Sequence, residues 1–540
     1  MKNQPMIQYF PTIFLLVSLL LGLHGLTRAD ISLVMGPESV PCFGLYEAAL
    51  RVEPLPAGNP FDVPVSAVFT HANGPAVHVE GFCDDPRGAL YRVRFCPSRP
   101  DTEYRYVISI AIDPSIQFEG SFRTTREISP EPVVVNPDHS KHFQTEHSKK
   151  PFFHMGFTAY HLLDPSNHDE QIEGVLDYCV EHGFNKIRFL LTGYPRDTDT
   201  RSSDDYEYGV GDLWKRPNYG APPGEVNPLP AWEGKPHAYD FTRFHVPYWQ
   251  KVDRAVLAAR DRGIVATCIL TIEKQDLPQE YGAFTDHEKR LYRYAAARLA
   301  AFSNVWWDLG NEHNEFRPPE WAPRMGAWMK EWDPYGRLVS AHGYKEWNYD
   351  NQPWAGFIIT QQYGTCFEVN QWALGYAGIP KPYINEEYGY EGILDQSGHG
   401  HNTDRVRKCH WAIALAGGYA TYGDWTACTP FYTGHVGQGK APAQLKHLRA
   451  LFDTLPFPEM RPANDRVEKH ALCLAKTGSV YLVYLPEGGT TTLRAEAGDY
   501  TITWIDPRTG ERSTPQDTEG GTVRLTAPSA NDWAAVVQEK

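Results

Sequence analysis

The sequence predicts an α/β chain in which a (β/α)8 barrel lies between two antiparallel β-sandwiches. Three observations carry that expectation. Residues 30 to about 128 alternate apolar and polar in short runs broken by turn residues, as in "FDVPVSAVFTH" and "YRYVISIAI". Residues 146 to 460 alternate apolar strand-like runs with amphipathic helical stretches. Residues 461 to 540 return to short alternating strands, as in "SVYLVYLPEGG" and "TVRLTAP". Period-two alternation marks strands with one buried face. Repeated strand–helix units imply parallel strands joined by right-handed crossovers. Eight such units in ~320 residues suggest a closed barrel.

The chain opens with "MKNQPMIQYFPTIFLLVSLLLGLHGLTRA". Lys2 supplies a positive start, Ile13 to Leu23 an apolar core, and Thr27 and Ala29 the small residues of a cleavage site. Residues 1–29 therefore read as a signal peptide. The uninterrupted apolar run is too short for a span of ~20 residues. A secreted or periplasmic protein, free of the membrane after cleavage, is expected. Nine cysteines leave at least one thiol free. Cys83 and Cys96 bracket a hairpin and could pair in an oxidising compartment, while Cys268 in "GIVATCIL" reads as a core thiol.

The first sandwich is placed at 30–128. The Pro-rich stretch 129–145, within "REISPEPVVVNPDHSKHF", reads as a linker. The barrel strands then follow as "FFHMGFTAY", "NKIRFLLTG", "IVATCILTIE", "NVWWDLGNE", "RLVSAHG", "FIITQQYG", "KPYINEEYG" and "GGYATYGDW". A long insertion, Pro195 to Asp240, comes after the second strand and is dense in aromatics. Long loops of this kind are often functional. It reads as a wall of a substrate cleft, with Trp214 or Trp232 as stacking residues, or as a loop whose aromatics pin it to the barrel. Net charge of −15 argues against nucleic acid or an anionic membrane as partner. The 15 Trp and 30 Tyr suit either sugar stacking or an aromatic core.

Residues that do chemistry on such a barrel sit at the C-terminal ends of its strands. Those ends supply Tyr160 and His161, Arg188, Glu273, Asn311 with Glu312, His342, Tyr363, the pair Glu386 and Glu387, and Trp425. Glycosidic cleavage needs two carboxyl groups flanking one bond. Glu312 and one of Glu386/Glu387 fit that need if the fourth and seventh strands face across the mouth. Strand alternation lets only one of the adjacent glutamates point inward. Arg188, inside an apolar strand, is costly unless paired with a carboxylate. His342 and His161 are candidate sugar ligands, and Trp425 a stacking platform. His399 and His401 lack further ligands at zinc-like spacing, so no metal is expected, and no cofactor is required.

"LGNE" and "NEEYG" together resemble the paired signatures of clan A retaining glycoside hydrolases. "KKPFFHMGFTAYHLL", "HGFNKIRFLLTG", "NVWWDLGNEHN", "DPYGRLVSAHG" and "GGYATYGDW" are similar to the apiosidase-like glycoside hydrolases of bacterial polysaccharide degraders. The flanking regions are similar to the sandwich that often precedes such barrels and to one often labelled collagen-binding. The resemblance implies Glu312 as acid/base and Glu387 as nucleophile. It implies Asn311 on the sugar 2-hydroxyl, Arg188 and Tyr363 on the nucleophile, and Trp425 beneath the catalytic sugar. It implies an oligosaccharide or polysaccharide substrate of plant or algal origin. A transglycosylase or a non-catalytic carbohydrate- or matrix-binding protein would be the alternatives.

Overall fold

The computed structural model describes residues 30–165, 167–193, 230–235, 238–271, 282–344, 347–391, 400–424 and 439–540. Trp425, Glu273, Trp214, His399 and residues 1–29, the stretch read as a signal peptide, lie outside them.

Eight parallel strands form the central sheet: β1 (Met155–Thr158), β2 (Lys186–Leu190), β3 (Val265–Ile269), β4 (Val305–Asp308), β5 (Val339–Ser340), β6 (Ile358–Gln361), β7 (Tyr383–Glu387) and β8 (Tyr419–Asp424). Their order is β5-β4-β3-β2-β1-β8-β7-β6. A single parallel bridge, Val339 to Ala355, spans the seam between β5 and the β6 side. The sheet is therefore a nearly closed barrel, and all eight strands fall within the runs read from the sequence. Among the described residues seven helices of the α/β units surround it: α1 (Asp169–Glu181), α2 (Val246–Asp261), α3 (Asp286–Leu299), α4 (Trp321–Trp332), α5 (Cys366–Gly375), α6 (Thr403–Leu415) and α7 (Ala441–Phe452). Gly183 and Gly263, at φ 79° and 69°, stop α1 and α2 and turn the chain into the next strand.

The strands are fully buried runs because helices cover the outside and side chains fill the inside. Trp306 and Trp307 show the division. Trp306 faces the barrel base, 4.9 Å from the Phe143 ring. Trp307 faces outward and donates Nε1–H to Asp333 at 2.9 Å.

The stretch expected as a linker is folded. Val133–Val135, Phe143–Thr145 and Pro151–Phe152 form a three-stranded antiparallel sheet. It brings Phe143 to full burial against Trp306, Phe357 and Tyr419. Its apolar residues plug the end of the barrel opposite the strand C-termini.

The N-terminal strands make two sheets around a separate core that includes Tyr46, Phe69, Phe95 and Phe122. Cys83 and Cys96 do not pair. Cys83 stands opposite Tyr91 in the hairpin, whereas Cys96 lies past Phe95, so the two are out of register. A buried ion cluster docks this domain. Arg94 makes two 2.8 Å bonds to Asp253 of α2. Arg298 of α3 reaches the same Asp253 at 2.6 Å and Asp84 at 2.9 Å.

The C-terminal strands belong to one hydrogen-bonded six-stranded antiparallel sheet. One face carries its own core around Cys473, Tyr481, Tyr500 and Val523. The other face, with Leu472, Leu482, Tyr484 and Val536, joins the barrel core. Trp411 of α6 stacks on Tyr484 at 5.3 Å, and Arg407 pairs with buried Asp532 at 2.7 Å. No helix among the described residues is long and apolar enough to cross a membrane.

Candidate active site

The adjacent glutamates of β7 differ in depth rather than in face. The β6–β7 register slips between Thr360 and Gln361, so that Gln361 stands opposite Glu387 instead of Glu386. A bulge of this kind breaks the period-two alternation. Both side chains therefore enter the barrel, contrary to the expectation that only one would. Glu386 takes the lower level. It is fully buried, with Lys186 Nζ at 2.6 and 2.7 Å and the Thr421 hydroxyl also bonded to it. Lys186 is on β2, separated from β7 by β8 and β1, so the contact crosses the barrel interior. Burial pushes the Glu386 carboxyl up, but Lys186 and Arg188 more than offset it and hold it at about 2. Burial pulls Lys186 down to about 8, opposed by Glu386, so both stay charged at neutral pH.

Glu387 takes the upper level, at the mouth. Its Oε1 accepts from Arg188 Nη1 at 3.2 Å and from the Tyr160 hydroxyl. Its Oε2 accepts from the Tyr363 hydroxyl at 2.9 Å. Burial raises both phenols well above their ordinary pKa, so they remain donors. Tyr388 and Gly389, the next two residues, are needed for packing. The Tyr388 hydroxyl meets His410 Nδ1 at 2.9 Å. Gly389 has φ 148°, and a Cβ there would fall 1.6 Å from the His401 ring. His401 thus packs on the turn after β7, and no metal-binding cluster occurs among the described residues.

Arg188 is the centre of the site. It is fully buried, lies 5.3 Å from the Tyr160 ring centroid, and donates Nη1–H to the Tyr160 hydroxyl at 3.0 Å. Its Nη2 bonds Asn311 Oδ1 and His342 Nδ1. Nε and Nη2 both face Asp308 Oδ2 at 3.4 Å. Because a guanidinium only donates, Nδ1 of His342 must accept and its proton sits on Nε2. Burial and Arg188 keep that imidazole neutral. His342 is wholly enclosed behind Arg188. That burial makes it a support for Arg188 in this structure.

Beyond β4, Leu309 and Gly310 carry the chain to Asn311 and Glu312 at the mouth. Asn311 donates its backbone N–H to Thr271 O at 2.9 Å. Glu312 is 8% exposed and adopts φ 50°, ψ 32°, the left-handed region, before the short helix His313–Glu315. Side chains other than glycine hold that conformation only where surroundings enforce it, often at functional sites. His313 packs behind, bonded to the Tyr349 hydroxyl at 2.9 Å, and burial lowers its pKa to about 4. Glu315 is exposed. His161 is half-buried in the turn after β1. Trp232 is 3% exposed, with its ring edge-on to Phe241 of the same hairpin and within the core shared with the barrel.

The structure thus gathers Tyr160, Arg188, Asn311, His342, Tyr363 and Glu387 into one hydrogen-bonded group, with Glu312 on the β4 side of the mouth. Lys186 and Asp308 were not anticipated. Their signal was present: each is a charge in an apolar strand, two residues from an inward-facing neighbour, and needs a buried counter-charge. Burial raises the Asp308 carboxyl to about 6, against the pull of Arg188.

The eight-stranded parallel barrel thus carries one Glu beyond β4 and a buttressed Glu at the end of β7. The family described as "Apiosidase-like, catalytic domain" matches residues 138–456, and "Domain of unknown function (DUF5060)" matches 39–111. The chain belongs to the apiosidase-like family and is a glycoside hydrolase. A structure described as "a putative glycoside hydrolase from Bacteroides vulgatus" aligns at 22% identity and TM-score 0.77, covering 93% of this chain and 100% of that one. A glycoside hydrolase family 5 protein of the same organism aligns at 18% identity and TM-score 0.59, covering 76% and 93%. These likenesses show the shared fold. No curated protein matches.

Proposed function

We propose that the chain is an exported retaining glycoside hydrolase that cleaves a plant or algal oligosaccharide or polysaccharide by double displacement. The observation that carries this reading is the clamp on Glu387. Three donors, Arg188, Tyr160 and Tyr363, bond both of its oxygens and fix their aim. A carboxylate so held is suited to attack an anomeric carbon. Glu312, near the surface of the mouth, protonates the leaving oxygen and then activates water as base. Asn311 turns Oδ1 to Arg188, so its amide NH2 is the group available to the sugar 2-hydroxyl. The membership of an apiosidase-like family makes apiosyl glycosides the first substrates to try.

The test is a panel of plant and algal oligosaccharides, apiosyl glycosides included, followed by a mechanism-based fluoro-glycoside. The label should fall on Glu387; a label on Glu386 reverses the assignment. Retention of anomeric configuration is expected, with a carboxyl separation of ~5–5.5 Å between Glu312 and Glu387. A separation of ~6.5–9.5 Å with inverted product would replace the double displacement by a single one. For Glu312→Ala, azide should restore turnover of an activated aryl glycoside, since azide needs no general base.

A further inference from the structure

Asp308, the last residue of β4, touches both halves of this site, and its significance rests on the roles proposed for Glu312 and Glu387. Its side chain is fully buried. Oδ2 faces Nε and Nη2 of Arg188, each at 3.4 Å. Oδ1 accepts the backbone N–H of Gly310 at 3.2 Å and of His342 at 3.3 Å. The first amide belongs to the segment that carries Glu312, the second to the neighbouring segment after β5. His342 N also donates to Gly310 O at 3.1 Å, and His313 N donates to His342 O at 3.2 Å. Glu312 sits between these rungs in its left-handed conformation.

We propose that Asp308 is a positioning residue that fixes the spacing of the two catalytic carboxylates, one oxygen holding the backbone that presents Glu312 and the other holding the guanidinium that grips Glu387. The role requires an acceptor at every contact. Arg188 and the two amides only donate, so a proton on Asp308 leaves one contact unsatisfied. Lys186 and Arg188 on β2, Glu386 and Glu387 on β7, and His342 after β5 are the ionisable groups around it. Burial brings the Asp308 carboxyl to about 6. The grip is therefore complete above that pH and loosens below it.

The test uses Asp308→Asn in the full chain, with Asp308→Ser as a second variant of smaller volume that keeps one acceptor. On whichever panel oligosaccharide the wild type cleaves, kcat should fall about 100-fold while KM changes less than about threefold, as for a group acting in the transition state. The acid limb that protonation of Asp308 sets near pH 6 in the wild type should be absent from both variants, whose grip is loosened at every pH. A variant that only folded poorly would lose amplitude without moving the limb. A crystal structure of Asp308→Asn decides the geometry without any substrate. Arg188 should leave Glu387, or Glu312 should leave its left-handed conformation. An unchanged site, or wild-type kcat and acid limb in both variants, overturns the role of Asp308 and leaves the nucleophile assignment standing. That assignment fails separately if Glu387→Ala keeps full activity.

Discussion

Two neighbouring glutamates offer a sharp test, because the structure gives them different work. Glu386→Gln removes the counter-charge of Lys186 where both side chains are 0% exposed. Wild-type Lys186 keeps a pKa of about 8 with Glu386 opposing its burial. Without that carboxylate it is an uncompensated buried cation, or it must deprotonate. Breaking one side of such a pair costs about 3–5 kcal/mol. For a barrel of about 320 residues, at about 2.1 cal/mol/K per residue, 4 kcal/mol corresponds to a fall in Tm of about 6 °C. The loss should depend on pH with a definite sign. Glu386 is held at about 2 against an ordinary 4.5. Its contribution is complete above about 4.5 and disappears as pH falls through about 2. Wild type and Glu386→Gln should thus converge in stability at low pH. The same substitution at Glu387 should leave Tm within about 2 °C, because Arg188 retains Asp308, while kcat falls about 10⁴-fold or more. Calorimetry from pH 2 to 8 and turnover per folded molecule measure both. Activity lost in Glu386→Gln at unchanged Tm, with activity kept in Glu387→Gln, would refute the division of labour.

Single contacts set further outcomes. Tyr363→Phe deletes the 2.9 Å donor to Glu387 Oε2. A hydrogen bond to a charged group contributes about 1.5–3 kcal/mol, so kcat/KM should drop about 10- to 100-fold, read from steady-state kinetics. Arg407→Ala leaves Asp532 buried at 1% exposure and should cost about 3–5 kcal/mol. A calorimetric transition of the C-terminal sheet separating below that of the barrel would register it. Cleavage of the leader should place Asp30 at the N-terminus of exported protein, which mass spectrometry of the mature chain checks.

The barrel was legible because fully buried parallel strands are written as apolar runs between amphipathic helices. "FIITQQYG" and "KPYINEEYG" could be placed without any partner in view. The clamp on Glu387 was half legible. Arg188 stood out as a charge in such a run, whereas Lys186 and Asp308 carried the same signal unread. The depth of Glu386 was not legible at all. It depends on one slipped residue between β6 and β7, and register is a property of the pair rather than of either strand. Phe143 was hidden for a related reason. Proline and polar neighbours make its segment look extended and solvated, and only the open base of the barrel supplies the apolar surface that buries it.

That plug has a practical meaning for anyone dividing the chain. A fragment starting near residue 146 would contain every barrel strand and both proposed catalytic glutamates, yet lack Phe143 and the first two strands of the three-stranded sheet. Trp306, Phe357 and Tyr419 would then face water from below. Arg94 and Arg407 tie the outer domains to the same body through buried charges. The chain is better regarded as a single mechanical unit with inseparable ends than as three exchangeable cassettes. Shuffling its parts between relatives would have to carry residues 133 to 152 along with the barrel they close.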